Sequence, residues 1–365
     1  MATPAHRRLL VVSHPAVVAA NQSVFAHLAR SGIDLHLVTP ATWEHAYDDA
    51  PFEAATDPAL AGRHTTFRVL GRGAPQRHLY LGRIVKFLRV TAPDVCYVEE
   101  ECFSIPALQW ALVAHRLRIP FGIQAWENLD RPLPAPARWI RRFVLSRASF
   151  IVARTPAAKA MVEQWGTSAR VEVIGSPVPS TDLAPRVHHD GFVVGVAGRL
   201  VPEKNPLLVA DAVAAIDGAV LVVAGDGPLR TALEERPKVE VRTDFTHDEM
   251  ASFFAGCDVV CLASHPTPTW AEQFGRVLVE ALVQETPVIG SRCGEIPWVI
   301  ERTGGGIVVD VDDLEGLIDA LTALRDDPER RRVLGSLGRT AVLGVFSVPV
   351  AARGLAQVAG LGDLD

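Results

Sequence analysis

Two glutamates placed about the start of one helix, Glu272 and Glu280 in Trp270-Ala-Glu-Gln-Phe-Gly-Arg-Val-Leu-Val-Glu280-Ala-Leu, are the residues here best spaced to hold a long polar ligand. Upstream, Asp258-Val-Val-Cys-Leu-Ala263 predicts a buried parallel strand, and Ser-His-Pro-Thr-Pro-Thr a loop. Gly275 opens the helix, with its apolar side expected at Val277, Leu278, Ala281 and Leu282. Glu280 falls about two turns in, so at ~1.5 Å rise per residue the two carboxylates stand roughly 10 Å apart. That span suits a nucleotide diphosphate sugar. One Glu takes sugar hydroxyls and the other ribose hydroxyls, while the first-turn N–H groups around Arg276, Val277 and Leu278 face the phosphates at the positive end of the helix dipole. The competing reading is an ordinary surface helix carrying two solvated acids.

A second set of groups fits the same ligand. Gly198-Arg199-Leu-Val-Pro-Glu203-Lys204-Asn205 follows the apolar run Phe192–Ala197 and leads into a helix expected over Pro206–Ile216. Facing a diphosphate, Arg199 and Lys204 neutralise the charge that grows on a leaving nucleotide, which substitutes for a metal ion. Gly225-Asp-Gly-Pro228 lacks a full dinucleotide fingerprint and reads as a tight turn.

The elements that must position these groups are bounded by composition. A chain of 365 residues, 48% apolar and 21% charged, predicts two globular domains. A net charge of −6 excludes a global basic field for nucleic acid. Cys96, Cys102, Cys257, Cys261 and Cys293 stand singly and are expected as reduced thiols. Residues 7–20 are broken by His14 and Pro15, so they read as the first strand of a cytoplasmic protein, and no apolar run reaches the ~20 residues that span a bilayer.

In the first half, Arg8–Ser13 is a strand, Ser23–Ser31 a helix stopped by Gly32, and Ile33–Thr39 the next strand, a unit that builds a parallel sheet. Ligands gather at the C-terminal ends of such strands, so the loop over 13–22 faces whatever this domain binds. There Asn21 and Gln22 offer amides to sugar hydroxyls, or cap the helix. Residues 40–78 read as irregular, and Leu79–Val90 as a helix. The strand Asp94–Glu101 ends in three acids, of which Glu100 or Glu101 touches an acceptor or the run forms a solvated loop. After a helix over Ser104–Leu117, a strand over Pro120–Ala125 delivers Trp126 and Glu127 to the same edge. Helix Ala135–Ser149 carries Arg138, Arg141, Arg142 and Arg147, a basic face for anionic lipid or a plain polar exterior. Ser180–Asp190 is the expected linker, and Phe346–Leu361 a helix crossing back to the first domain. The boundaries are thus 1–185, 186–345 and 346–365.

The string EQFGRVLVEA, with seven residues between its glutamates, resembles the signature of the retaining glycosyltransferases of family four. Gly198–Lys204 and Thr286–Pro297 reinforce the resemblance, which covers about residues 190–305. It implies an α/β protein of GT-B fold: two Rossmann-like, doubly wound domains of parallel sheet facing a central cleft. The implied reaction moves a sugar from a nucleotide diphosphate donor, uridine first, to a small-molecule, glycan or lipid-linked acceptor, with no cofactor or metal. By that resemblance Glu272 holds the donor sugar, lined by Phe274 and Gly275. Arg199, Lys204, Arg276 and Val277 take phosphate, Glu280 takes ribose, and Phe245 frames the base. Asn21, Gln22, Glu101 and Trp126 are acceptor-side candidates. Glu127 stands about where related enzymes place a histidine; it accepts the acceptor proton or stabilises the positive sugar, or is a helix N-cap neighbour. The chain also lacks the glycine pair usual after the first strand, and Trp298 stands where relatives carry an acid. With no evident covalent nucleophile, front-side displacement is the expected route. A nucleotide-sugar-binding protein without turnover and a nucleotide-sugar epimerase are the alternatives on this architecture.

Overall fold

The computed structural model describes residues 8–44, 51–179, 181–186, 191–243, 245, 249–362 and 364. The chain forms two compact units, Met1–Pro177 with Val348–Asp365, and Val178–Ser347.

The strands of the first unit are β1 (Leu9–Ser13), β2 (Leu35–Pro40), β3 (Thr42–Trp43), β4 (Phe52–Glu53), β5 (His64–Leu70), β6 (Leu79–Leu81), β7 (Val95–Glu101), β8 (Phe121–Ala125), β9 (Phe150–Ala153) and β10 (Arg170–Val173). Its first five helices are α1 (Ser23–Arg30), α2 (Ile84–Thr91), α3 (Ile105–Leu117), α4 (Ala135–Leu145) and α5 (Pro156–Gln164). The sheet runs β10-β9-β8-β7-β1-β2-β5-β6, parallel except that β6 is antiparallel to β5. All of β1 is buried, and its side chains alternate between faces. Leu10 and Val12 join one core with Leu88, Trp110, Ile140 and Val162, while Leu9 and Val11 join a second with Phe25, Leu28 and Leu355.

The second unit holds β11 (Phe192–Ala197), β12 (Ala219–Ala224), β13 (Val239–Arg242), β14 (Val259–Leu262), β15 (Val288–Ser291) and β16 (Gly306–Val309). Its helices are α6 (Pro206–Ala214), α7 (Arg230–Glu234), α8 (Met250–Ala255), α9 (Arg276–Val283), α10 (Ile296–Thr303), α11 (Leu314–Asp326) and α12 (Pro328–Val345). Its sheet is parallel throughout, in the order β13-β12-β11-β14-β15-β16. The last helix, α13 (Val348–Val358), belongs to the first unit, where it packs on α1, β9 and β10.

Four expectations need correction. Leu79–Leu81 is a strand, not the start of a helix: Tyr80 points inward between outward Leu79 and Leu81, and Gly82 at φ +155° breaks the chain before α2. Residues 40–78 contain the β3–β4 hairpin and β5 rather than an irregular loop. The basic helix stops at Leu145. The expected linker begins inside the second unit, where the Val178 N–H donates to Phe346 O and Gln284 bonds Thr181 and Ala184.

Candidate functional site

The loop between β14 and α9 is built to present Glu272. Its side chain is nearly buried, at 8% exposure. Oε2 accepts from Ser264 Oγ at 3.1 Å and pairs with the Lys204 ammonium. Lys204 ends a single 3-10 turn, Pro202–Lys204, and its Nζ stands 5.5 Å from the Trp270 ring centroid. Sequence reasoning gave Lys204 to phosphate and Glu272 to sugar; the structure brings them together as one ion pair. Their mutual charge compensates the cost of burying either.

The backbone beneath Glu272 is fixed from behind. The Glu295 N–H donates to Glu272 O at 3.0 Å, and Gly294, at φ +54°, lies so close that a Cβ there would stand 2.0 Å from that oxygen. Only glycine permits that approach. Gly275 then turns the chain into α9 through a left-handed conformation at φ +78°, and no side chain caps the helix. The Leu278 N–H returns to Gly275 O at 2.9 Å, so the Arg276 and Val277 amides are the first-turn donors open to a ligand. The buried face of α9 is Leu278, Val279, Ala281, Leu282 and Val283, with Val277 half-exposed, which shifts the expected apolar side by removing Val277. Phe274 is buried edge-on against Trp298 and Phe346, at 6.1 and 5.3 Å between centroids. Arg276 Nη2 donates to Glu280 Oε1 at 3.2 Å, so the ribose candidate has a cationic neighbour one turn back. Arg199 is exposed on the loop after β11, and that loop is clasped by the next turn: a Cβ on Gly225 would meet Gly198 O at 1.9 Å. Phe245 meets Phe253 edge-on at 5.3 Å between centroids, and its ring lies 4.2 Å from the Arg242 guanidinium carbon. Asp244, Thr246, His247 and Asp248, including the expected His247 cap, lie outside the described residues.

In the first unit the C-terminal sheet edge is a network of buried polar groups. Glu99 accepts from Ser13 Oγ at 2.5 Å and pairs with Arg154 at 2.7 Å, and Arg154 also reaches Gln124 at 2.5 Å. Glu100 pairs with His14 Nδ1 at 2.8 Å and lies 3.5 Å from His78 Nε2. Burial alone raises the Glu100 carboxyl, but His14 and then His78 outweigh it and hold the group below its ordinary range. Glu101 accepts from the Trp126 and Glu127 N–H groups at 2.7 and 3.1 Å. Burial pushes it up to about 8, opposed by those amides and helped by the charge of Glu127. Glu127 is buried and paired with Arg131, and Trp126 lies 5.4 Å under the Arg154 guanidinium.

Residues 184–341 match the family described as Glycosyl transferases group 1, and residues 22–181 match Glycosyltransferase Family 4. The lipopolysaccharide core biosynthesis glycosyltransferase LpsD of Rhizobium meliloti is 30% identical over 254 residues, 62% of this chain and 71% of LpsD. The chain belongs to glycosyltransferase family 4. The fold of this glycosyltransferase is GT-B, as in the sucrose-phosphate synthase of Thermosynechococcus elongatus (TM-score 0.72, 17% identity, covering 96% of this chain and 98% of that one). Anabaena HepE, crystallised with UDP and glucose, has the same TM-score and identity and is covered in full, with 97% of this chain.

Within the transferase, the second-unit candidates Arg199, Lys204, Glu272, Phe274, Gly275, Arg276, Val277 and Glu280 lie on the loops after β11 and β14 and on α9, strands that are neighbours in the sheet. Two first-unit expectations are corrected. Gln22 is fully buried: its amide nitrogen donates to Ala16 O and Ala55 O and its oxygen accepts from the Asp57 N–H, so it ties the loop rather than meeting an acceptor. The acids Glu99–Glu101 are not a solvated loop; each is engaged inside the unit. Asn21 is exposed and donates to Pro15 O at 2.9 Å. Arg141 on α4 and Arg147 just beyond it lie over the Trp165 and Phe143 rings at 4.3 and 4.0 Å, and Trp139 is exposed. Among the described residues no helix is long and apolar enough to cross a membrane. Sequence reasoning missed Ser264 and the pairing of His14 and His78 with Glu100. His14, in the loop that ends β1, was the one signal for the last.

Proposed function

We propose that this glycosyltransferase moves a sugar from a nucleotide diphosphate sugar, a UDP-sugar first among donors, to an acceptor hydroxyl with retention of anomeric configuration. The observation that carries the reading is the Lys204–Glu272 pair beside the Gly275-opened start of α9. A neutralised acid and base at a helix N-terminus is a site ready for a diphosphate: Lys204 turns to phosphate as Glu272 turns to sugar hydroxyls, so neither charge is left buried alone. Arg199 and the Arg276 and Val277 amides share the phosphate charge, which is the work a divalent ion does in metal-dependent transfer. Glu280 takes ribose, drawing its carboxylate from Arg276, and Phe245 frames the base. The UDP and glucose held by HepE support uridine, and the LpsD name supports a glycan or lipid-linked acceptor.

Among the described residues of the second unit we assign no covalent nucleophile, and Glu272 is engaged by Lys204 and Ser264. The leaving phosphate therefore takes the acceptor proton as the hydroxyl attacks the same face. Acceptor groups come from the first unit, with Trp126 and Glu127 at the end of β8 as candidates. The test is product stereochemistry by NMR with UDP-sugars and a lipopolysaccharide-core-type acceptor, with Glu272→Gln as control. Retention with loss of turnover in the variant is expected; an inverted linkage refutes the mechanism, and full activity in the variant refutes the site.

A further inference from the structure

Outside the donor machinery, one cluster has the donor set of a metal centre. His14 follows β1, His78 precedes β6 and Glu100 lies near the end of β7, so three separate stretches converge. One donor atom from each of His14, His78 and Glu100 lies within 4.8 Å of the others, and the carboxylate is shared, His14 Nδ1 standing 2.8 Å from its Oε2 and His78 Nε2 3.5 Å from its Oε1. Around a tetrahedral ion with ligand bonds of about 2.0–2.2 Å, donor atoms stand about 3.4 Å apart.

The chemistry of His78 points the same way. Its Nδ1 lies 3.4 Å from Ala74 O, and its Nε2 is fully buried, without a hydrogen bond, and turned toward Glu100. With its proton on Nδ1, toward Ala74 O, His78 turns an Nε2 lone pair to the Glu100 carboxylate, the form in which both groups can ligate one cation. A backbone carbonyl on the far nitrogen is the arrangement that orients metal-bound imidazoles. The Trp43 ring lies 4.9 Å from each imidazole and Tyr80 lies 5.2 Å from His78, which fixes the ring planes. His14, with 17% of its side chain exposed, is the way in.

We propose that His14, His78 and Glu100 bind one divalent transition-metal ion, with Zn2+ favoured because two imidazoles and a carboxylate suit it better than Mg2+ or Ca2+. The fourth position goes to water. The site is independent of the donor reading and lies within the first unit.

The test uses full-length protein stripped with a chelator and titrated with Co2+, then Zn2+. One equivalent of Co2+ is expected to give the intense visible bands of a low-coordinate ion, abolished by one equivalent of Zn2+. Glu100→Gln and His78→Ala should each weaken uptake at least tenfold. His14→Asn, at the rim, should do the same with the folded circular dichroism spectrum retained. His265→Gln, a histidine paired with Asp312 in the second unit, should leave uptake unchanged. No stoichiometric Co2+ binding by the wild type, or uptake retained in His14→Asn and lost in His265→Gln, overturns the proposal.

Discussion

Gly294→Ala is the most informative single perturbation, because it reaches the candidate sugar-holding acid without touching its side chain. A Cβ at this position stands 2.0 Å from Glu272 O and 2.9 Å from its carbonyl carbon and nitrogen. Contacts under 3.0 Å are essentially never made by real Cβ atoms, so the Glu272 backbone must retreat by about 1 Å, the difference between 3.0 and 2.0. A 1 Å misplacement costs on the order of 100-fold in turnover. The alanine also pays about 1 kcal/mol for a left-handed backbone. Gly304→Ala is the control: at φ +63° it pays the same backbone cost, but its Cβ meets the flexible tip of Leu337 at 3.0 Å. The assay is nucleoside diphosphate release from UDP-glucose with donor affinity by calorimetry, beside thermal melting of both variants. Gly294→Ala should lose on the order of 100-fold in kcat/KM for the donor at temperatures where both variants are folded, while Gly304→Ala loses little, and Gly294→Ala should also melt lower because its clash is with backbone. Equal kinetics in the two variants would refute the claim that the Gly294–Glu295 turn positions Glu272.

The Lys204–Glu272 pair predicts non-additive stability: Lys204→Ala should cost about 3 kcal/mol in denaturant unfolding by leaving a nearly buried carboxylate, and adding Glu272→Gln should recover part of it. Additive losses would contradict the pairing. All five cysteines are buried, and burial pushes Cys96 and Cys257 up to about 12, so a thiol reagent should label none of them until the protein unfolds. Rapid labelling of the native protein would contradict the packing. Burial lowers His36 and His64 from the ordinary 6.5, so below that pH the unfolded chain binds protons that the folded one refuses. Stability should therefore fall as pH drops through 6.5, and a His64→Asn variant should show a shallower fall; an unchanged slope would count against it.

The second unit was the more legible half because its chemistry is local. Glu272, Gly275 and Glu280 sit on one loop and helix, so their spacing in sequence translates directly into distance. The β11 and β14 strands are buried runs that read as such. What escaped was long-range: the Lys204 bond to Glu272 spans 68 positions. The first unit hid more. Three successive acids look solvated in sequence, yet at the end of β7, where the register against β8 shifts between Val98 and Glu101, each meets a different partner inside the unit. Leu79–Leu81 read as helix because three residues are too short to show a period, and pairing with β5 decides their form.

A crystal structure of the protein soaked with UDP-glucose tests the central claim most directly. The account predicts the diphosphate against the Arg276 and Val277 amides and the Arg199 and Lys204 side chains, with Glu272 on the glucose and Glu280 within hydrogen-bonding distance of the ribose. A donor bound away from the start of α9, or a Glu280 still paired with Arg276 and out of reach of the ribose, would contradict it.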